Sequence, residues 1–415
     1  MKNKVVVTGI GIVSSIGMGV ENFWRATLAG ESGEGGITLF DAEHYATKIA
    51  AEVKNFNPAD YMLPEFYRKT DRFAQFGMAA AKMAVEDANL EGVYDPQKNA
   101  IPVMIGSGLG GSLFHEEQIF QLIETQETRK VLSSSVPRIA PNAVSAFIAM
   151  LYKFRGANLT ISTACSSGGN AIALAAQQIS DGKTEIAVTG GVECPISPFT
   201  YAAYQSLRVL AKGLLGSQKA SRPFDKKRDG FVLGEGAGIL ILENYEKALA
   251  RKAPIYGELK GFGSNCGVYH MAAPDPSGDD AAAAMREAIA RAGLLPSDID
   301  YINAHGTATQ ANDVCESKAI NQIFEKGGRA PWVSSTKSQI GHTIGAAGAI
   351  GAIAALLAVK YDMIPPNINC DELDEQCDIR VAQGKARQVP VRNALSNSFG
   401  FGSNNTSLVF GKVRA

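Results

Sequence analysis

Tryptophan, histidine and cysteine are all sparse in this chain: 2, 5 and 6 of 415 residues. The cysteines are Cys165, Cys194, Cys266, Cys315, Cys370 and Cys377, with no CxxC pair among them. That excludes a zinc ribbon and a thioredoxin-like redox motif. So low a density fits a reducing compartment better than a disulfide scaffold. The histidines show no HxH or HxxxH spacing, so a metal site is not expected; no cofactor is expected either. An excess of charge of either sign is also missing: 40 Lys and Arg against 41 Asp and Glu leave a net charge of −1. Nucleic-acid binding driven by bulk charge is excluded, though a local basic patch is not. No apolar run of about 18 residues is read along the chain, so no membrane span is expected. At the N-terminus, Lys2 and Lys4 precede apolar residues, but Gly9, Gly11 and Gly17 interrupt them. That pattern reads as a buried strand at Val5–Val7, not a signal peptide. The expectation is a soluble cytoplasmic protein.

Apolar residues make up 46% of the chain and charged ones 20%, which excludes disorder as the dominant state. Length is a soft prior for two to three domains. Glycine is plentiful, 43 residues, and is concentrated in short sharp turns. Short β-branched runs alternate with helical patterns. Strands are expected at Val5–Thr8, Ile101–Gly106, Leu159–Ser162, Glu185–Gly190 and Gly238–Leu242. Others are expected at Tyr256–Gly261, Tyr301–Asn303, Trp332–Ser334, Asn393–Ser396 and Ser407–Phe410. Val20, Phe23, Trp24 and Leu28 share a helical face, as do Phe73, Phe76, Ala80 and Met83. An alanine-rich helix over 281–292 ends at Gly293 as a C-cap. The alternation implies an α/β fold. There is also an internal echo: Ser162-Thr163 and Ser335-Thr336 each precede a small-residue helix, 166–176 and 345–358. Gly106-Ser107-Gly108 and Ala304-His305-Gly306 precede them at similar distances. Two similar halves, joined near 244–253, would explain it.

Cys165 lies in Thr163-Ala164-Cys165-Ser166-Ser167-Gly168-Gly169, between an expected strand and a helix of small residues. A sulfur at a helix N-terminus has a lowered pKa and a reactive thiolate. The plain alternative is a buried packing cysteine. Of the other cysteines, Cys194, Cys266 and Cys315 read as packing, Cys370 and Cys377 as loop. His305 and His342 each follow an expected strand, among glycines and hydroxyls. The C-terminal ends of strands are where open α/β sheets bind ligands, and Cys165 occupies the same kind of position. His44, His115 and His270 read as surface or loop. Lys337 and Glu316 lie close in sequence to the two histidines, and a buried pair between them would orient an imidazole. Gly400 and Gly402 flank Phe401, leaving backbone N–H groups free for an oxyanion.

The motifs TACSS at 163–167, AHGT at 304–307, SSTKSQIGH at 334–342 and NSFGFG at 397–402 resemble those of the β-ketoacyl-acyl carrier protein synthases. The form is most like the elongating synthase II type, and SRPFDKKRDGFVLGEGAG at 221–238 also fits. The resemblance covers nearly the whole chain. It implies a thiolase-like fold of two duplicated halves in a five-layered αβαβα arrangement, 1–250 carrying the nucleophile and 251–415 both histidines, in a dimer. By motif, Cys165 would hold an acyl chain as a thioester. His305 and His342 would promote decarboxylation of malonyl-acyl carrier protein, with Lys337 and Glu316 in support. The amides of Cys165 and Phe401 would form the oxyanion hole, Phe401 also being the gate. Thr307 and Thr309 would touch the phosphopantetheine arm, and Leu109 and Tyr204 would line the acyl pocket. Arg68, Lys69 and Arg208 would dock the acidic carrier protein.

A thiolase would carry Cys-His-Cys and the initiating synthase III type Cys-His-Asn. A chain-length factor lacks the nucleophile. The chain departs from the synthase II pattern at SSGGNAIALA after the nucleophile, at Gln310 and at GFGSNNTS. These departures leave the reaction alone but keep open a ketosynthase of a type II polyketide or polyene pathway, homodimeric or paired with a chain-length factor.

Overall fold

The Val5–Val7 run opens a strand that continues past its β-branched residues to Ser14 (β1). The computed structural model describes residues 2–90, 100–324 and 330–413. The first half adds β2 (Val103–Gly106), β3 (Asn158–Ile161), β4 (Ile186–Glu193) and β5 (Gly236–Asn244). The second half has β6 (Gly257–Cys266), β7 (Tyr301–Asn303), β8 (Trp332–Ser334), β9 (Asn393–Gly400) and β10 (Asn404–Gly411). Every strand expected from the sequence is present, several of them longer. β1, β4 and β9 extend through Gly, Ser, Asn and Glu, residues whose propensity does not announce a strand. Pairing with neighbours supplies what propensity does not.

The strands run β8-β7-β9-β10-β6-β1-β5-β4-β2-β3 across one sheet. Each half has the same order, and each pairs its first three positions in parallel and the rest antiparallel. The halves meet where β1 pairs antiparallel with β6, Val5 opposite Leu259 through Val7 opposite Gly257. The internal echo is therefore a structural duplication.

Helices α1 (Val20–Ala29), α2 (Arg72–Asp87), α3 (Ser112–Thr125), α4 (Ala143–Tyr152) and α5 (Ser167–Ser180) belong to the first half. So does α6 (Pro198–Ser206), whereas α7 (Asp279–Arg291), α8 (Gln310–Asn321) and α9 (Ala347–Tyr361) belong to the second. α5 and α9 pack on each other and on strands of both halves; α2 and α4 cover the outer face of one half, α7 and α8 that of the other. The result is the five-layered αβαβα order. Helix α7 ends at Arg291 with Ala292, not Gly293, as its C-cap, and Gly293 follows in the left-handed region at φ +66°.

The expectation that no long apolar run exists needs correction. Ile344–Tyr361 spans 18 residues of high mean hydropathy. Its flanks are not water-facing: from Ala347 to Val359 every residue is buried, as a helix apolar all round must be in a central layer. One cysteine expectation also changes: Cys266 is exposed at the end of β6, whereas Cys370 and Cys377 lie in loop as expected, buried in the core of the second half.

Candidate active site

The chain leaves β3, turns through one 3-10 turn at Ala164–Ser166 and enters α5. Ala164 sits in the left-handed region at φ +51°, a conformation that L-residues adopt at a cost. Ser167 and Ser166 stabilise the turn: the Ser167 hydroxyl donates to the Ala164 carbonyl at 2.6 Å and that of Ser166 to the Thr163 carbonyl at 2.8 Å. The Cys165 sulfur is thereby set at the start of α5, with the residue only 6% exposed.

His342 comes from the second half. Its backbone N–H donates to the Val232 carbonyl at 2.7 Å, and its carbonyl accepts from Gly234 at 3.0 Å. So pinned, its Nε2 lies 3.1 Å from the Cys165 Sγ. The Ile344 N–H donates to its Nδ1 at 3.3 Å. An Nδ1 that accepts carries no proton, so in the neutral ring the hydrogen is on Nε2, facing the sulfur. His305 follows β7, its ring 5.4 Å from that of His342 and 5.6 Å from Phe399. Burial, and then the Lys337 charge, push both imidazoles well below the ordinary histidine range. Both are neutral at physiological pH.

The charged residues nearby differ from expectation. Among the described residues, neither Glu316 nor Lys337 hydrogen-bonds an imidazole. Glu316 grips backbone instead: its carboxylate accepts from the N–H groups of His305 at 2.9 Å and Gly306 at 2.8 Å, and from Asn397 Nδ2 at 3.0 Å. It orients the ring by holding the chain that bears it. Asp313 does the same one step on, accepting the Thr307 N–H at 3.0 Å. Lys337 is buried, and desolvation pulls its ammonium down to about 8 against the pull of Glu316.

The thiol also needs correction. Burial pushes Cys165 up to about 11, not down. Lys337 and the amides of Phe401 and of Cys165 itself work against burial without overcoming it. Removing a thiolate from water costs more here than a helix terminus returns. The two amides that lower it, those of Phe401 and Cys165, are the kind of donor an oxyanion hole requires.

A cavity of about 160 Å³ opens onto these groups. Cys165, His305, His342 and Phe401 line it, as do Thr307 and Thr309 and, with its ring 5.8 Å from that of Phe231, Tyr204. Leu109 does not line it. Arg68, Lys69 and Arg208 are exposed, away from the cavity wall. Sequence reasoning gave His270 no role, yet it lines the cavity, with Cys315. The loop carrying it is bonded to the Phe401 loop: Gly402 donates to Met271 at 2.6 Å and Gly267 to Ser403 at 2.8 Å. Nothing local in 267–275 signals that contact. Glu193, at the end of β4 next to Cys165, was also missed.

Residues 2–248 match the model of the beta-ketoacyl synthase N-terminal domain, and 256–371 that of the C-terminal domain. The chain belongs to the β-ketoacyl synthase family. This synthase is 42% identical over 413 residues to the 3-oxoacyl-[acyl-carrier-protein] synthase 2 of Vibrio harveyi, with 99% of each chain covered. Its fold matches that of the ishigamide ketosynthase/chain length factor with a TM-score of 0.93, 34% identity and full coverage of both chains. It is also similar to AntDE:AntF, a type II polyketide acyl-carrier protein in complex with its ketosynthase, at a TM-score of 0.91 and 29% identity, again with full coverage of both chains. The thiolase-like architecture expected from the motifs is the one these neighbours share.

Proposed function

We propose that this synthase elongates acyl chains by decarboxylative Claisen condensation, with acyl and malonyl groups both delivered on acyl carrier protein. The observation that carries this reading is the Cys165–His342 contact, in which a tautomer-fixed Nε2–H faces a sulfur that the amides of Phe401 and Cys165 also influence. In the first half-reaction Cys165 attacks the acyl thioester. Its C–S bond forms as the carrier's C–S bond breaks, and the thiol proton ends on the departing pantetheine sulfur. The amides of Cys165 and Phe401 hold the oxyanion. In the second, malonyl thioester loses CO₂, and the electron pair becomes an enolate whose oxygen accepts from the Nε2–H groups of His305 and His342. Its carbon then attacks the Cys165 thioester. The thiolate leaves and takes up one proton, giving a β-ketoacyl carrier protein.

The His342 tautomer, with Nδ1 accepting from Ile344 and the proton on Nε2, supports donation over proton abstraction at that ring. Thr307 and Thr309, their hydroxyls 3.0 Å apart on the cavity wall, suit the amides of a pantetheine arm. The exposed Arg68, Lys69 and Arg208 suit an acidic carrier. β3 is the outer edge of the sheet, with Leu159 exposed on it, which supports a dimer formed across that edge. With its apolar helix buried in the core, the enzyme is read as soluble and cytoplasmic.

Mass spectrometry of products from purified acyl- and malonyl-carrier protein tests the reaction. A β-ketoacyl product two carbons longer than the primer is expected, and none with Cys165→Ala. Equal labelling of wild type and Cys165→Ala by acyl carrier protein would remove the assignment. Repeatedly extended, unreduced products, or activity only with a second subunit, would instead favour a polyketide ketosynthase, the relation that the structural neighbours also carry.

A further inference from the structure

Three tyrosines, Tyr45, Tyr201 and Tyr204, belong to the apolar cluster that surrounds Cys165. Two have their hydroxyls tied to backbone: Tyr45 donates to the Pro198 carbonyl at 3.0 Å and Tyr201 to that of Ile49 at 2.8 Å. Tyr204, near the end of α6, is different. Among the described residues its hydroxyl has no hydrogen-bond partner. Nor is that atom sealed in the core, as the orphaned oxygens of Thr189 and Gln339 are. The open space that Tyr204 lines is the cavity over Cys165. Its ring stands edge-on to Phe231 at 5.8 Å, and Phe231 edge-on to His342 at 5.1 Å, the ring whose Nε2 is 3.1 Å from the sulfur. The buried Glu193 carboxylate does not serve the hydroxyl. It is occupied by the Ser107 hydroxyl and the N–H groups of Gly108, Leu109 and Gly345. Burial, and then Cys165 and Glu193, push the phenol up, so it keeps its proton and is a donor at neutral pH.

A tyrosine hydroxyl away from bulk water is ordinarily paired. Val209, Phe231 and Ile344, which line the cavity and share the cluster with Tyr204, are apolar and offer it nothing. We infer that Tyr204 is a specificity-determining residue that donates to an oxygen carried on the acyl chain, so that Cys165 takes up oxygen-bearing acyl groups in preference to saturated ones. The inference rests on the proposed acylation of Cys165 and names the substrate class of that same site. A saturated chain displaces water from the hydroxyl and leaves it unpaired, whereas a chain carrying a carbonyl oxygen accepts from it. A placed polar group separates two such substrates far more sharply than an apolar wall separates chains differing by a methylene. The condensation itself makes a chain of this kind. Its product is a β-ketoacyl group, which becomes an oxygen-bearing primer when it returns to Cys165 unreduced.

The test compares Cys165 acylation by two matched pairs of acyl-carrier protein, β-oxobutanoyl with butanoyl and δ-oxohexanoyl with hexanoyl, in wild type and Tyr204→Phe, read by intact-protein mass spectrometry. Within each pair the chains differ only in one carbonyl. In at least one pair wild type should acylate faster with the oxygenated chain, and Tyr204→Phe, which keeps the ring, should cut that preference by about tenfold. A preference unchanged in both pairs, or a loss equal for the two members of each pair, overturns the proposal. Were Tyr204→Phe not to fold, wild type that favours the saturated chain in both pairs would overturn it alone. That result, with Cys165 acylated, leaves the functional reading standing. Wild type that takes up none of the four acyl groups at Cys165 defeats that reading itself, and this proposal with it.

Discussion

The thiol of Cys165 stands between two opposed electrostatic influences, desolvation that favours S–H and the nearby Lys337 charge with two amides that favours S⁻. Desolvation dominates, so the resting nucleophile is protonated at neutral pH. The sign of the Lys337 contribution is testable. Lys337 titrates near 8, so its charge acts on the sulfur mainly below that pH. Lys337→Met should therefore slow alkylation of Cys165 by iodoacetamide at pH 7 by about tenfold, followed on the Cys165 peptide because Cys266 is exposed and reacts too. Faster alkylation would show that the charge does not stabilise the thiolate. The histidines make a separate prediction. His305→Ala and His342→Ala should each slow malonyl decarboxylation by about 10²-fold or more, the usual cost of one lost oxyanion donor. Acyl transfer to Cys165 should suffer less. Wild-type decarboxylation in either variant would remove that residue from the enolate site.

At the scale of elements, the packing of β1 on α2 is set by backbone contact. A Cβ on Gly11 would lie 1.8 Å from the Ala80 carbonyl oxygen, and neither backbone segment can turn away as a side chain would. Gly11→Ala should cost about 1–3 kcal/mol or more, measured as a lower denaturation midpoint. Gly36, where an added Cβ meets nothing within 4 Å, should tolerate the same change with a shift near zero. Equal shifts would mean that close approach is not what keeps Gly11 small. The sequence reading took Gly9 and Gly11 as interruptions of an apolar segment. They are interior strand residues, because the constraint comes from a helix some 70 positions away.

For the whole molecule, a near-zero net charge conceals a local asymmetry. Arg68 and Lys69 are both exposed at the N-terminal approach to α2, and Arg208 is exposed after α6. Replacing Arg68 and Lys69 by Glu should raise KM for carrier-borne substrates by roughly tenfold, mainly through slower encounter, and weaken the salt dependence. Turnover of small thioesters lacking the carrier should hardly change. An equal loss with both substrate types would mean damage to the fold or site.

Cys165, His305, His342 and Phe401 were legible because each belongs to a short motif at the end of a strand, and a Gly-rich strand-to-loop turn is a local property of the chain. The duplication was legible for the same reason, since the two halves repeat those turns. Burial and long-range pairing are not local. The rise of the Cys165 pKa, the imidazole tautomer set by Ile344 and the grip of Glu316 on backbone each depend on groups that only the packed layers bring together. So do the four donors on Glu193, three of them 84, 85 and 86 residues away and the fourth 152. The long apolar helix shows the same division. Its composition alone suits a bilayer as well as a protein interior; the two half-sheets that enclose α9 determine which one it occupies.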